Sequence, residues 1–265
     1  MALPIKATVV LELLRELGKL EDRPLLVAGA PHLVPLLVRD FVAGGDPSAV
    51  RTGGSPEHVE ALLYILGDDV TAQDEQVLKT ARRARVPTIV VAAGRDVPAR
   101  IPFVLATDVV RVQPGSGFDL DEIANVVARK LGEEATSLAR RLPVLRRAVC
   151  DQLISSFARK NAIVAAAVFV PGADLPVLTV NQLRLVLRIC AAHGLDVDRQ
   201  RLPEIAATVG AGVGFRAIAR SVVGAIPVAG WIAQGALAYT GTRAIGEAAV
   251  RYCQTRLRDV ASSAP

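Results

Sequence analysis

Residues 23–43 read RPLLVAGAPHLVPLLVRDFVA. A short apolar run, Leu25 to Ala28, passes through a Gly-Ala-Pro turn into a segment whose apolar residues fall at helical spacing, so the stretch predicts strand, tight turn and helix. The same unit recurs downstream. Ala61–Leu66 leads into GDDVTAQDEQVLKTARRA, where Thr71 followed by Asp74 and Glu75 marks the start of a capped helix. Pro87–Ala92 ends in AGRD, and Asp108–Val112 precedes PGSGFDLDEIANVVARKLG. Strands alternating with helices predict an α/β domain with a mainly parallel sheet, its ligand crevice beyond the carboxyl ends of the strands.

The chain of 265 residues is long enough for two ordinary domains, each with ample apolar surface to bury. Hydrophobic residues make up 51% and charged residues 22%, which argues against a fully membrane-embedded protein and allows one half to be unusually apolar. Charge divides the same way. Residues 1–137 hold 15 Lys+Arg against 19 Asp+Glu, and residues 138–265 hold 16 against 7. A basic, apolar back half suits an anionic membrane surface or an acidic partner, including the chain's own front half. Nucleic acid is not expected as a partner, because aromatics are only 4% and none interleave with the arginines.

Cys150, Cys190 and Cys253 stand far apart in sequence without CxxC spacing, and read as small core residues in a reducing compartment. Residues 1–22 contain ATVVLELLREL, with Glu12, Arg15 and Glu16 at helical spacing. That pattern predicts an amphipathic helix, not a signal peptide, and hence a cytoplasmic protein.

The order of the front-half pieces, over residues 23–136, resembles an Era-type small GTPase domain. A working P-loop, GxxxxGK[ST], cradles phosphate on backbone N–H groups, neutralises it with Lys and holds Mg²⁺ by a hydroxyl. Placed on this chain, the resemblance makes Gly29 the first glycine and puts Val34, Pro35 and Leu36 where Gly, Lys and Ser/Thr are needed. The cation and the metal ligand are both absent, and Pro35 has no N–H to offer an anion. The guanine-reading Asn-Lys-x-Asp falls on Ala93, Gly94, Arg95 and Asp96, keeping only the carboxylate. Between Phe41 and Glu60 there is no DxxG, and VRTGGSPEH is the sole loop in an interval too short for switch loops and a strand pair. Gly29 and Asp96 are therefore vestiges, and no cofactor or metal is expected.

Other polar features read more simply. Gly67-Asp68-Asp69 is a strand-ending turn before it is a metal site, since adjacent carboxylates point apart. His32 and His58 have no Ser, Cys or carboxylate at motif spacing.

Near Ser137 the composition turns basic and then strongly apolar, placing a domain boundary at about Glu134–Leu142. PGADLPVLTVNQLRLVLRI at Pro171–Ile189, AAHGLDVDRQRLPEI at Ala191–Ile205, GVGFRAIARSVVGAIPVAGW at Gly212–Trp231 and AYTGTRAIGEAAVRYC at Ala238–Cys253 follow in order. Together they resemble the YcjF-type GTPase-associated helical domain of unknown function, which implies an all-helical domain over residues 137–258 and a short disordered tail, 259–265. Within it, Asp174 after a Pro-Gly turn caps a helix or pairs with Arg184 or Arg188. Gln182, with Asn181 beside it, bridges helices or touches a ligand. Arg216 and Arg220, one turn apart in a Gly/Ala-rich run, must reach a carboxylate, lipid phosphate or water. Ser221–Thr242 comprises 22 uncharged residues, long enough for a tilted bilayer crossing but interrupted by Gly, Pro and Gln. A membrane-associated hairpin over 205–242 and a buried soluble helix pair both satisfy it.

The resulting expectation is a non-catalytic pseudo-GTPase acting as a scaffold or adaptor at the cytoplasmic face of a bacterial membrane. Asp174, Gln182, Arg216 and Arg220 are its candidate membrane or partner contacts. The alternatives are an atypical nucleotide-binding GTPase or other NTPase, and a soluble regulatory partner of a separate GTPase.

Overall fold

The computed structural model describes residues 7–95, 97–113, 115–167, 175–195 and 230–263. They form two compact units, one of Glu21–Val149 and one of Met1–Leu20 with Cys150–Pro265. The first is α/β and the second all-helical.

The α/β unit holds five parallel strands in the order β2-β1-β3-β4-β5: β1 Leu25–Gly29, β2 Val50–Thr52, β3 Ala61–Leu66, β4 Thr88–Ala92 and β5 Val109–Arg111. Its helices are α2 Val34–Phe41, α3 Ala72–Arg83, α4 Leu120–Leu131 and α5 Ala135–Arg141. Four strands and α2 to α4 lie where the alternation of apolar runs places them. β3 is ALLYIL with every residue buried, as a central parallel strand covered on both faces requires.

The remaining strand, β2, lies inside the interval that reads as a loop. Val50, Arg51 and Thr52 pair with Leu25, Leu26 and Val27, while Ala61 pairs with Leu25 from the other side. Because β2 is only three residues, the chain has to climb back about 10 Å to start β3. Residues 53–60 suffice for that return without a helix. Gly53 and Gly54 take φ of 81° and 89° there, and the Arg51 guanidinium ties the turn by donating to the Ser55 and Glu57 carbonyls.

One face of the sheet carries Leu26, Leu62, Tyr64, Leu66, Val90 and Ala92 against Leu78 and Ala81 of α3. The capping box of α3 forms as the sequence predicts. Thr71 Oγ accepts from the Asp74 N–H at 3.2 Å, and the Asp74 carboxylate accepts the Thr71 N–H at 2.8 Å. Beyond the composition shift at Ser137, this unit continues to Val149. The reason is apolar: Ala135, Leu138, Ala139, Leu142 and Leu145 are all fully buried, and α5 packs with α4 and the short turn at Pro143–Leu145.

The helical unit comprises α1 Ala7–Gly18, α6 Arg146–Ala167 from Cys150 onward, α7 Leu175–Ala192 and α8 Gly230–Ser263. α7 packs on α8 and on α1. Thr242, Ile245, Gly246, Ala249 and Cys253 of α8 form a buried stripe at helical spacing, with Arg243, Glu247 and Arg251 exposed between them. Among the described residues no helix is long and apolar enough to cross a membrane.

Candidate functional site

In the order β2-β1-β3-β4-β5 the chain leaves β1 toward one edge for β2 and returns past it to the other side for β3. The topological switch point is thus the gap between the carboxyl ends of β1 and β3, where open α/β sheets bind ligands. Three turns meet at this end of the sheet, after Gly29, after Leu66 and after Ala92.

The turns are laid on one another. Gly29 has φ of 115°, and a Cβ built there would stand 2.0 Å from the Ile65 carbonyl oxygen. The next residue, Ala30, donates its N–H to that same oxygen at 2.9 Å. At the third turn, a Cβ on Gly94 would stand 2.2 Å from the Gly67 carbonyl oxygen and 2.3 Å from the Asp68 Cα. Arg95 N–H then donates to Asp68 Oδ1 at 3.2 Å. Both glycines serve the contact of backbone with backbone, which only a residue without Cβ permits.

The amino end of α2 completes the site. An anion-binding helix terminus offers free N–H groups. Here the N–H groups of Leu33 and Val34 both point to the Ala30 carbonyl, at 3.0 and 3.1 Å, Pro35 has none, and Leu37 N–H bonds to Leu33 O. No side chain caps this helix. His32, Asp68 and Asp69 are exposed around the turns, and among the described residues no group of three His, Cys, Asp or Glu could hold a metal ion. The amino end of α2 thus carries neither a lysine nor a hydroxyl side chain, and its first N–H groups are already bonded.

Of the residues singled out in the sequence, Gly29 belongs to this crevice. Gln182 is half-buried on α7 of the helical unit. Asp96, Asp174, Arg216 and Arg220 lie outside the described residues.

The polar groups that do converge in the helical unit are others. Asn161 of α6 is fully buried; its Nδ2 donates to Thr242 Oγ of α8 at 3.0 Å, and its Oδ1 accepts from Asn181 Nδ2 of α7 at 2.8 Å. The amide that bridges helices is thus Asn181, the neighbour of Gln182. Arg184 and Arg188, one turn apart on α7, meet Glu16 of α1 at 2.5 and 3.3 Å. Cys190 and Cys253 bring their sulfurs to 3.5 Å, fully buried. The hydrogen bond with Cys190, and burial after it, raise the Cys253 thiol far above its ordinary pKa and keep it protonated. None of these contacts has a signature at short sequence spacing; Glu16 and Arg184 are separated by 168 residues. The run Arg82-Arg83-Ala84-Arg85, by contrast, is a visible basic cluster, and Arg82 and Arg85 line a cleft at the other end of β4.

Neither the curated proteins nor the solved structures yield a match to this chain. A family model described as "Domain of unknown function (DUF697)" matches residues 128–260. That span is half of the chain and takes in α6, α7 and nearly all of α8, and on this extent of match the chain belongs to that family.

Proposed function

We propose that the protein is a non-catalytic scaffold whose front unit is a GTPase-like domain that has lost its nucleotide chemistry, and whose basic helical unit brings it to an anionic membrane surface or to partner helices. One observation carries the first half of this reading. The N–H groups of Leu33 and Val34 that a phosphate would require are spent on the Ala30 carbonyl, beside a proline and with no lysine or hydroxyl following. A triphosphate placed there would lose its water and gain little in return. The parallel order of the strands is compatible with a GTPase-like sheet that lacks its antiparallel strand, and the short return through residues 53–60 leaves no room for switch loops.

The membrane half rests on charge. Residues 1–20 and 150–265, the helical unit, hold 15 Lys+Arg against 9 Asp+Glu, an excess that favours a peripheral association with anionic lipid.

Calorimetric titration of the purified chain with GTP and with ATP, each with and without Mg²⁺, tests the first half. No saturable heat is expected, and micromolar binding lost on Pro35→Asp would establish the atypical NTPase instead. Co-sedimentation with phosphatidylserine vesicles tests the second: binding that disappears in high salt is expected, and a chain left wholly in the supernatant at low salt would refute it.

A further inference from the structure

The α/β unit has a cleft of about 920 Å³ at the end of the sheet opposite the switch point, between the carboxyl end of α3, the start of β4, the loop around Phe103 and the end of α4. Arg82, Arg85, Arg100 and Lys130 line it. Among the described lining residues the one carboxylate, Asp108, is buried and already neutralised by Lys130 Nζ at 2.5 Å. No ion pair among the described residues engages Arg82, Arg85 or Arg100, so three guanidinium groups line one concavity without a carboxylate partner among those residues.

Helix ends account for part of this. Arg82 and Lys130 sit in the last turns of α3 and α4, where cations answer the helix dipole. Arg85 and Arg100 belong to no helix, and Arg85 holds φ of 57° just past the end of α3.

The same cleft gathers exposed apolar surface. Leu105 is 66% and Phe103 40% exposed, two of the five large apolar side chains exposed among the described residues. Both lie on the one loop that borders the arginines. Phe103 adopts φ of 65°, a conformation unfavourable for a bulky residue and kept only where the surroundings impose it. The buried Ile101, two residues earlier, anchors the loop in the core and leaves Phe103 facing outward.

Cations and apolar side chains alternating around a concave surface match one kind of occupant. A flat bilayer surface would leave the concavity unfilled. A nucleotide is disfavoured because Arg82, Arg85 and Arg100 are all exposed and the less exposed cation, Lys130, is held by Asp108. We propose that this cleft docks an acidic peptide segment of a partner protein, its carboxylates on Arg82, Arg85 and Arg100 and an aliphatic or aromatic side chain against Phe103 and Leu105. The inference rests on the scaffold reading, for which it supplies the chemistry of the partner.

Fluorescence anisotropy of the full chain tests it with a short fluorescein-labelled peptide of glutamate, leucine and phenylalanine. Matched peptides with glutamine for glutamate, or serine for the apolar residues, serve as controls. Saturable binding to the first peptide alone is expected. Joint Arg82→Glu, Arg85→Glu and Arg100→Glu substitution is expected to weaken it by at least about tenfold, and Phe103→Ser with Leu105→Ser by about tenfold. All five side chains are on the cleft surface, and unchanged circular dichroism verifies that the variants fold. Equal binding of the glutamine peptide, affinity indifferent to charge reversal, or no saturable binding at all would overturn the proposal. Anionic vesicles captured through the same three arginines would replace it with a lipid site. GTP binding, which would refute the scaffold, reads the opposite end of the sheet, so the two failures are separable.

Discussion

The two units bury polar groups in different ways. In the α/β unit, Thr136 and Ser137 are buried but bond within one turn, to the carbonyls of Glu133 and Glu134, and Asp108 has its own lysine on α4. In the helical unit, Asn161, Thr242 and Arg188 are buried and reach between helices, joining α6 to α8, α6 to α7 and α7 to α1. The register of the sheet is thus specified by backbone ladders and apolar packing, and the polar pairs that join its elements, Tyr64 with Asp74 and Lys130 with Asp108, connect helix to strand or turn rather than strand to strand. The helices have no ladder to fix their register. Directional side-chain bonds supply it, because a misplaced helix would strand an amide in the core.

The largest effect is expected at Gly29, where backbone meets backbone. Gly29→Val puts a branched side chain at φ of 115° and against the Ile65 carbonyl, so β1 and β3 cannot keep their register. A loss of at least about 3 kcal/mol is expected, read as a lowered urea midpoint of the α/β unit, or as its failure to fold. The control is Gly18→Ala at the end of α1, where a Cβ meets nothing within 4 Å and a change within about 0.5 kcal/mol is expected. If both substitutions behaved alike, backbone approach would not be what holds the sheet.

The next effect belongs to the helices. Asn161→Ala removes the donor to Thr242 and the acceptor for Asn181 together, and a loss of about 2–4 kcal/mol is expected from the buried Thr242 and half-buried Asn181 left unmatched and the space left by the side chain. Adding Thr242→Val and Asn181→Leu to an Asn161→Leu background should recover part of it, since an apolar seam of like volume carries no such penalty. Thermal unfolding of the single and triple variants distinguishes the outcomes. A triple variant no better than Asn161→Ala would show that the network does more than satisfy its own members.

This difference also explains what could be read in the sequence. Strands β1, β3, β4 and β5 and the Thr71–Asp74 capping box come from contiguous residues, so a local pattern contains all the information they need. The strand β2 escapes it because Val50–Thr52 is too short to show a period and is held by pairing with Leu25–Val27. In the helical unit the family resemblance carries the architecture, whereas the contacts escape. Asn161 finds Thr242 across 81 residues and Cys190 finds Cys253 across 63, and nothing in either neighbourhood names the other. The crevice lies between these cases. That no lysine and no hydroxyl stand at Pro35 and Leu36 is legible in the sequence, but the capture of the Leu33 and Val34 amides by Ala30 is visible only in three dimensions.

A smaller effect, with a pH signature, tests the apolar character of the sheet. Tyr64 lies in the β-sheet core and donates its hydroxyl to Asp74 Oδ1 at 2.6 Å. Burial raises the Asp74 carboxyl, but the hydrogen bonds from Tyr64 and from Thr71 outweigh it and leave the net value below the ordinary carboxylate range. For a group depressed in the folded state, the linked stability is present above its unfolded value and is lost as pH falls through the folded one. Tyr64→Phe is expected to cost about 1 kcal/mol at neutral pH and to flatten the acid limb of the stability profile. Tyr64 itself is raised, by burial first and then by Asp74, so wild-type stability should also fall in strong alkali and the variant's should fall less steeply. Parallel profiles would mean that the bond to Asp74 adds nothing to the packing.

The smallest expected effect asks whether charge, rather than apolar packing, tethers α1 to the helical unit. Glu16 and Arg184 each keep 37% of their side-chain surface in water, so their attraction is screened, whereas Arg188 retains only 9%. On that ground Glu16→Gln should cost about 0.5–1 kcal/mol at low ionic strength and almost nothing in molar salt. Double-mutant cycles should give a larger coupling for Glu16 with Arg188 than with Arg184, despite the longer distance, because the drier pair feels the lower dielectric. Leu13 of α1 is also buried, and Leu13→Ala is expected to cost about 2–3 kcal/mol at any salt concentration. A coupling of zero for both arginines, with the Leu13 effect intact, would mean that even the polar-bridged unit holds its first helix by apolar contact, and the contrast between the two units would then narrow to the Asn161 network alone.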